Sequence, residues 1–264
     1  MKDILFISPN NARNIYQNLS TKYSAIEPPT WALLLSESCR SKGFSVAILD
    51  CLAENLSADE SYKRILEINP RIICFVVYGQ NVNAGTTNMS GATYLSSYLK
   101  EKNVVQPICF VGSHIQALPV ETLNKEKSID IGLCNEGVYS IWNLLKIRNF
   151  NFENLKKIKG IVFRSKNEIV VNEPEVVVPQ ERMDIDLPGY AWDLLPKHKK
   201  PLDLYRSPMW HAEYDEDKRS PYAALQSSLG CQFKCDFCMI NIINRNDNDE
   251  IGVASNYSKM RFWS

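Results

Sequence analysis

The chain of 264 residues is 45% hydrophobic and 23% charged, with 30 Lys and Arg balancing 30 Asp and Glu. That composition excludes a disordered or fibrous chain, and the length suits one large or two modest domains. Zero net charge gives no basic excess for nucleic acid and no acidic tail, and no apolar run reaches membrane-spanning length.

Met1-Lys-Asp-Ile-Leu-Phe-Ile-Ser8 is too short in its apolar part for a signal peptide and reads as a β-strand running into the loop Ser8-Pro-Asn-Asn11. Glu27-Pro-Pro-Thr30 opens a helical pattern from Trp31 to Lys42, closed by Gly43. Val46–Asp50 is a second strand, continuously apolar as expected when both faces are covered. Ser57-Ala-Asp-Glu60 caps a helix running to about Asn69. Arg71–Tyr78 is the third strand, Thr86–Lys100 a helix, Pro107–Gly112 the fourth strand, Leu118–Asn124 a short helix, Ile129–Leu133 the fifth strand and Glu136–Ile147 a last helix. This alternation predicts an α/β fold, a Rossmann-like five-stranded parallel sheet with helices on both faces, over residues 1–147. Right-handed crossovers put every strand-to-helix loop on one edge. There the small polar loops Ser8–Asn11, Gly79–Thr87 and Val111–His114 point to a ligand site. No P-loop and no G-x-G-x-x-G occurs, so a nucleotide is not the default ligand.

Residues 148–220 read as a linker. Lys159–Arg164 and Glu168–Asn172 form a β-hairpin. Pro174, Pro179, Pro188, Pro196, Pro201 and Pro208 then thin out regular structure. Asp184–Pro188 and Tyr190–Leu195 look like apolar anchors against a neighbouring domain. Trp210, Tyr214 and Tyr222 approach the next motif, where they line a substrate space or pack in a core. The Asp215–Arg219 run is a solvated turn, and His198 and His211 sit in polar surroundings typical of surface histidines.

Residues 221–264 begin with the apolar segment Tyr222–Leu229, read as a strand, and Gly230, which permits a sharp exit into Cys231-Gln-Phe-Lys-Cys235-Asp-Phe-Cys238. Three thiolates at C-x3-C-x2-C spacing on one loop suit an iron–sulfur cluster or zinc. A structural zinc usually has four ligands, often two C-x2-C pairs, and neither a second pair nor a nearby His follows. Cysteines also serve as small buried apolar residues. The other five of the 8 cysteines (Cys39, Cys51, Cys74, Cys109, Cys134) are scattered, several inside apolar segments. That pattern fits reduced thiols in a cytoplasmic protein.

Cys231, Cys235 and Cys238, with aromatic Phe237, resemble the radical S-adenosylmethionine (radical SAM) signature. The resemblance implies a [4Fe-4S] cluster on the three cysteines, its fourth iron chelated by S-adenosyl-L-methionine, with Phe237 near the adenine. It also implies an external electron donor of flavodoxin or ferredoxin type, and reductive cleavage of SAM to a deoxyadenosyl radical. Residues 1–147 resemble the cobalamin-binding domain of the cobalamin-dependent class. The matching pieces are Glu27-Pro-Pro29, Ile48–Asn55, Val111–Pro119 and Asn135-Glu-Gly137. By that resemblance Gln80, Asn81, Thr86, Thr87, Gly112, Ser113, His114, Glu136 and Gly137 contact cobalamin. For His114 a strand-end histidine bonded to backbone is the other reading, and for the Gln80–Thr87 residues an ordinary polar loop with a Thr cap.

Four single-position departures from the family pattern bear on this. Where the family reads closer to G-G-P-H and G-E-G, this chain has Ser113 and Asn135. Where many cobalamin domains carry D-x-H-x-x-G, Asp50-Cys-Leu-Ala-Glu-Asn55 has Leu52 in the histidine position and Asn55 in the glycine position. Cobalamin is therefore expected without a lower histidine ligand from this motif. A radical SAM domain normally runs through about six strand–helix units, so residues 221–264 are expected to be the beginning of a truncated barrel with an unpaired first strand. The function implied is radical C-methylation or a related radical transfer on an unknown small-molecule substrate, with this fragment inactive alone. Competing readings are a non-catalytic cobalamin-binding module with a vestigial cluster motif, and a zinc-stabilised α/β protein.

Overall fold

The computed structural model of the protein describes residues 1–12, 17, 25–79, 82–166, 168–207, 221–231, 233, 235, 237, 238 and 260–264. Five parallel strands run in the order β2-β1-β3-β4-β5: β1 (Lys2–Ser8), β2 (Val46–Asp50), β3 (Pro70–Val77), β4 (Ile108–Gly112) and β5 (Ile131–Leu133). The reversal of order at β1 opens a crevice at the carboxyl ends of β1 and β3.

Alternate residues of each strand feed two cores. Ile4, Phe6, Ile72, Cys74, Cys109, Val111 and Ile131 face α1 (Thr30–Ser41). Leu5, Ile7, Ile73, Phe75 and Phe110 face α2 (Ala58–Ile68) and α3 (Met89–Glu101). The Ser57 capping box forms as read: the Ser57 hydroxyl accepts from Glu60 N–H while the Glu60 carboxylate accepts from Ser57 N–H. The stretch read as one helix over Thr86–Lys100 divides. Val82–Asn88 is 3-10, and the α-helical part starts at Met89. After β4 come two short helices, α4 (Ser113–Ala117) and α5 (Pro119–Lys125). Next is α6 (Val138–Lys146), which shares the α1 face. One turn, α7 (Phe152–Leu155), was not legible in the sequence.

The sheet does not stop at five strands. The hairpin β6 (Ile161–Ser165) and β7 (Glu168–Val171) adds to β5 antiparallel, making seven strands. The reason lies in its apolar residues. Ile161, Val162 and Phe163 are fully buried, and pairing them with three-residue β5 covers an edge that would otherwise be open.

The connecting segment wraps back over α1. Ala191 N–H donates to Leu33 O, and Ala191, Leu195 and Tyr205 bury Leu33 in a third apolar cluster. This accounts for the Trp31-Ala-Leu-Leu-Leu35 run, which is apolar on both sides because α1 is sandwiched. The short helix α8 (Met183–Asp186) presents Asp186, whose carboxylate accepts from Arg182, Lys42 and Tyr139.

Tyr222–Leu229 differs from its reading. Exposure alternates along it as in a strand, but only β8 (Ser228–Leu229) has a ladder partner among the described residues. That partner is β9 (Arg261–Phe262), so the edge expected to be bare is paired. Trp210, His211, Tyr214, the Asp215–Arg219 run, and Gln80 and Asn81 lie outside the described residues. Among the described residues no helix is long and apolar enough to cross a membrane.

Candidate functional site

The carboxyl edge of the sheet collects the loops expected to bind a ligand. After β1 and β2 lies an open cleft of about 590 Å³, lined by Asn10, Asn11, Cys51, Asn55, Ser57 and Tyr94. Asp50 ends β2 with its carboxylate buried. It accepts from Ala53 N–H at 3.1 Å and from Tyr205 Oη–H at 2.9 Å. The Asp50–Asn55 motif is thus a turn built around a buried acid. Leu52, in the histidine position of the related motif, packs with the apolar cluster around Tyr205.

At β4 the chain is crowded. A Cβ on Gly112 would lie 2.2 Å from Val77 O, so only glycine lets β3 and β4 approach this closely here. Ser113 is buried, and its Oγ has no hydrogen-bond partner. His114 is half-buried, and burial lowers its pKa below the usual histidine value. It is neutral at pH 7. Thr86 and Thr87 are exposed on the 3-10 turn above β3, whose Asn88 donates to Tyr78 O.

Past β5, Asn135 adopts φ of +57°, a conformation that Asn tolerates better than most L-residues, which accounts for Asn in a position the related motif gives to glycine. Its N–H donates to Gln116 Oε1 and its side-chain amide to Glu175 O, which leaves Asn135 Oδ1 buried without a partner. Glu136 is buried, its carboxylate held bidentately by the Arg261 guanidinium and by Val178 N–H. Gly137 caps α6. Sequence reasoning placed Glu136 on a cofactor and missed Arg261, which is 125 residues away and carries no local pattern.

The cysteine loop leaves β8 through Gly230, whose φ of +86° is glycine's left-handed territory. Leu229 is in the core, and the Tyr190 hydroxyl donates to Gln226 O and accepts from Gln226 N–H. Cys231 and Cys238 are half-exposed, Cys235 is exposed, and none of the three is in a disulfide. Cys238 N–H donates to Cys235 O, and Phe233 N–H points at Cys231 Sγ at 3.4 Å. Phe237 is 82% exposed, so it is not a core residue. Among the described residues no three His, Cys, Asp or Glu side chains converge to hold a metal. The donor set still fits an iron–sulfur cluster in chemistry: three accessible soft ligands within eight residues. The sheet edge fits a ligand rich in amides, with two orphaned oxygens, Ser113 Oγ and Asn135 Oδ1, at adjacent strand ends.

Four of the other thiols, Cys39, Cys51, Cys74 and Cys109, are buried, and Cys134 is half-exposed. Cys74 and Cys109 are register partners on β3 and β4, and with Cys39 they are buried in the α1-side core. Burial pushes the Cys51 thiol pKa up to about 12 and raises those of Cys39, Cys74 and Cys109 well above the usual thiol range.

No protein-family model matches the chain. An uncharacterised methyltransferase of Pyrococcus horikoshii is 28% identical over 211 residues, which are 80% of this chain and 40% of that protein. Among solved structures, the cobalamin-dependent S-adenosylmethionine radical enzyme OxsB, with aqua-cobalamin and S-adenosylmethionine bound, aligns with a TM-score of 0.60 at 16% identity. That alignment covers 90% of this chain and 28% of OxsB. The radical S-adenosylmethionine methyltransferase TsrM from Kitasatospora setae, with cobalamin and a [4Fe-4S] cluster bound, aligns with a TM-score of 0.56 at 14% identity, covering 91% of this chain and 42% of TsrM. The chain spans less than half the length of each of these proteins. What it shares with the two solved structures is the fold of the aligned portion, 28% of OxsB and 42% of TsrM.

Proposed function

We propose that this chain is the cobalamin- and cluster-binding portion of a radical SAM enzyme of the methyltransferase type, acting on an unknown small molecule. The observation that carries the reading is the position of C-x3-C-x2-C. Its loop starts two residues after core residue Leu229, whose strand β8 pairs with β9. Through Arg261, β9 reaches the carboxyl end of β5, where the sheet presents its polar loops.

Cys231, Cys235 and Cys238 would hold a [4Fe-4S] cluster, and exposed Phe237 would flank SAM. Ser113 Oγ and Asn135 Oδ1 would hydrogen-bond the amide arms of cobalamin, with neutral His114 beside them. Thr86 and Thr87 are on the same edge. The Asp50–Asn55 turn would supply no histidine to the cofactor, since Leu52 stands in that position and packs with the apolar cluster. When bound, these groups would supply radical generation and methyl transfer, and the chain's residues would hold and orient them. One-electron reduction would come from an external flavodoxin- or ferredoxin-type donor.

Anaerobic reconstitution with iron, sulfide and hydroxocobalamin tests this. The expected result is a cluster EPR signal that shifts on adding SAM and is lost in Cys235→Ala, together with a cobalamin spectrum lacking histidine ligation. Zinc retained in place of a cluster would refute it. Cobalamin bound without a cluster would leave a binding module only.

A further inference from the structure

Between the cysteine loop and the sheet edge runs one short chain of contacts. Leu229 pairs with Arg261, and Cys231 follows Leu229 by two residues. Arg261 is 4% exposed and Glu136 2%. The guanidinium spans both carboxylate oxygens and also donates to Val178 O, while Val178 N–H donates back to Glu136 Oε2. Glu136 O accepts from Trp31 Nε1 at 3.2 Å. Asn135, next to it, is held by Gln116 and Glu175. Beyond Arg261, Phe262 N–H and C=O are clasped by the Gln180 amide, and Trp263 Nε1 donates to Leu187 O. The β9 arm therefore docks by a set of specific contacts centred on a buried ion pair.

Such a pair has few intermediate positions. If β9 moves away, a carboxylate and a guanidinium are each left uncompensated in a low-dielectric site. A released arm would therefore be a discrete second state rather than a gradual shift of the docked one.

We propose that Arg261 is a positioning residue that couples the cysteine loop to the loop between β5 and α6: ordering the cysteines around a metal holds β9 docked, and docked β9 fixes Asn135 and Glu136. By reciprocity, a ligand that stabilises Asn135 and Glu136 favours the metal-loaded loop to the same degree. The proposal rests on reading Cys231, Cys235 and Cys238 as metal ligands, and it does not depend on which metal they take.

The test is hydrogen exchange read by mass spectrometry on the whole chain, kept anaerobic. Three states are compared: metal-free, loaded with iron and sulfide, and loaded with zinc alone. In the wild type, loading slows exchange in peptides over residues 131–140 by about 5-fold or more, the lower end of typical coupling between sites. In Arg261→Met, loading still protects the peptides around Cys231–Cys238, but the factor at 131–140 falls to about 1, full decoupling in the same terms. Arg261→Lys, which keeps the charge without the planar fork, gives an intermediate factor. Glu136→Gln, which retains an acceptor for Val178 N–H, decouples as Arg261→Met does and serves if that variant does not fold. Equal protection at 131–140 in the wild type and in Arg261→Met overturns the proposal, as does a loaded wild type with no protection there. A loop that takes zinc but no cluster refutes the radical SAM reading alone and leaves this test intact. A loop that takes neither overturns both.

Discussion

Replacing Asp50 with Asn removes a charge that the fold buries at the end of β2. Asp50 is 1% exposed, and its carboxylate accepts from Ala53 N–H and the Tyr205 hydroxyl. Burial outweighs these bonds and raises its pKa from 3.8 to about 6. A shift of roughly two units corresponds to about 3 kcal/mol between protonation states. Because the folded pKa lies above the unfolded one, the folded protein binds the extra proton. The stability this contributes is fully present below pH 3.8 and is lost as pH rises through 6. Asn keeps an acceptor for Ala53 N–H and a polar group for Tyr205 but does not ionise. Urea unfolding of both proteins, followed by tryptophan fluorescence from pH 4 to pH 8, isolates the group. The wild-type free energy should fall against that of Asp50→Asn by about 2–3 kcal/mol across the range, most steeply below pH 6. A difference that stays flat with pH would refute the account of Asp50 as a buried, proton-holding tie between β2 and the connecting segment.

Three other outcomes follow from geometry. In the native protein, Ellman's reagent should modify Cys231, Cys235 and Cys238 quickly, while Cys39, Cys51, Cys74 and Cys109 react only in denaturant, because burial both hides these thiols and keeps them protonated. Gly112→Ala puts a methyl 2.2 Å from Val77 O, where backbone cannot give way, and should cost about 3 kcal/mol in urea unfolding. Phe237→Ala should change stability by less than about 0.5 kcal/mol, since the ring is 82% exposed; any loss of the SAM-induced EPR shift in that variant then reports a ligand contact.

The parallel core of the fold was readable because its elements announce themselves locally. Ser57 and Glu60 form a cap three residues apart, Val46–Asp50 and Arg71–Tyr78 are apolar runs, and Gly43 closes a helix. What escaped depends on partners distant in sequence. Lys159–Asn172 reads as a hairpin, but nothing local says that β6 pairs with β5. Tyr222–Leu229 has a strand's alternation, yet only its last two residues find a neighbour, and that neighbour is Arg261–Phe262. The candidate site divides in the same way. The cysteine spacing is a local pattern and stands out. Ser113 and Asn135 were noticed as departures from a related motif, whereas the buried oxygens they carry need coordinates to be seen. Glu136 was singled out from a local motif, whereas its ion-pair partner Arg261 becomes apparent only in the fold.

The 125-residue separation between Glu136 and Arg261 also sets an order of assembly. Contacts of such range come after the loop-closure entropy has been spent, and neighbouring parallel strands linked by single helices form sooner. The Glu136 carboxylate faces its docking position only once β5 and α6 exist, so β9 can engage only a sheet that is already built. Until then β8 and β9 lack the buried ion pair that ties their ladder to the sheet, and the loop of Cys231, Cys235 and Cys238 lacks that support. The tie between the cysteine loop and the sheet edge is therefore expected among the last long-range contacts to form, after the parallel core that carries it.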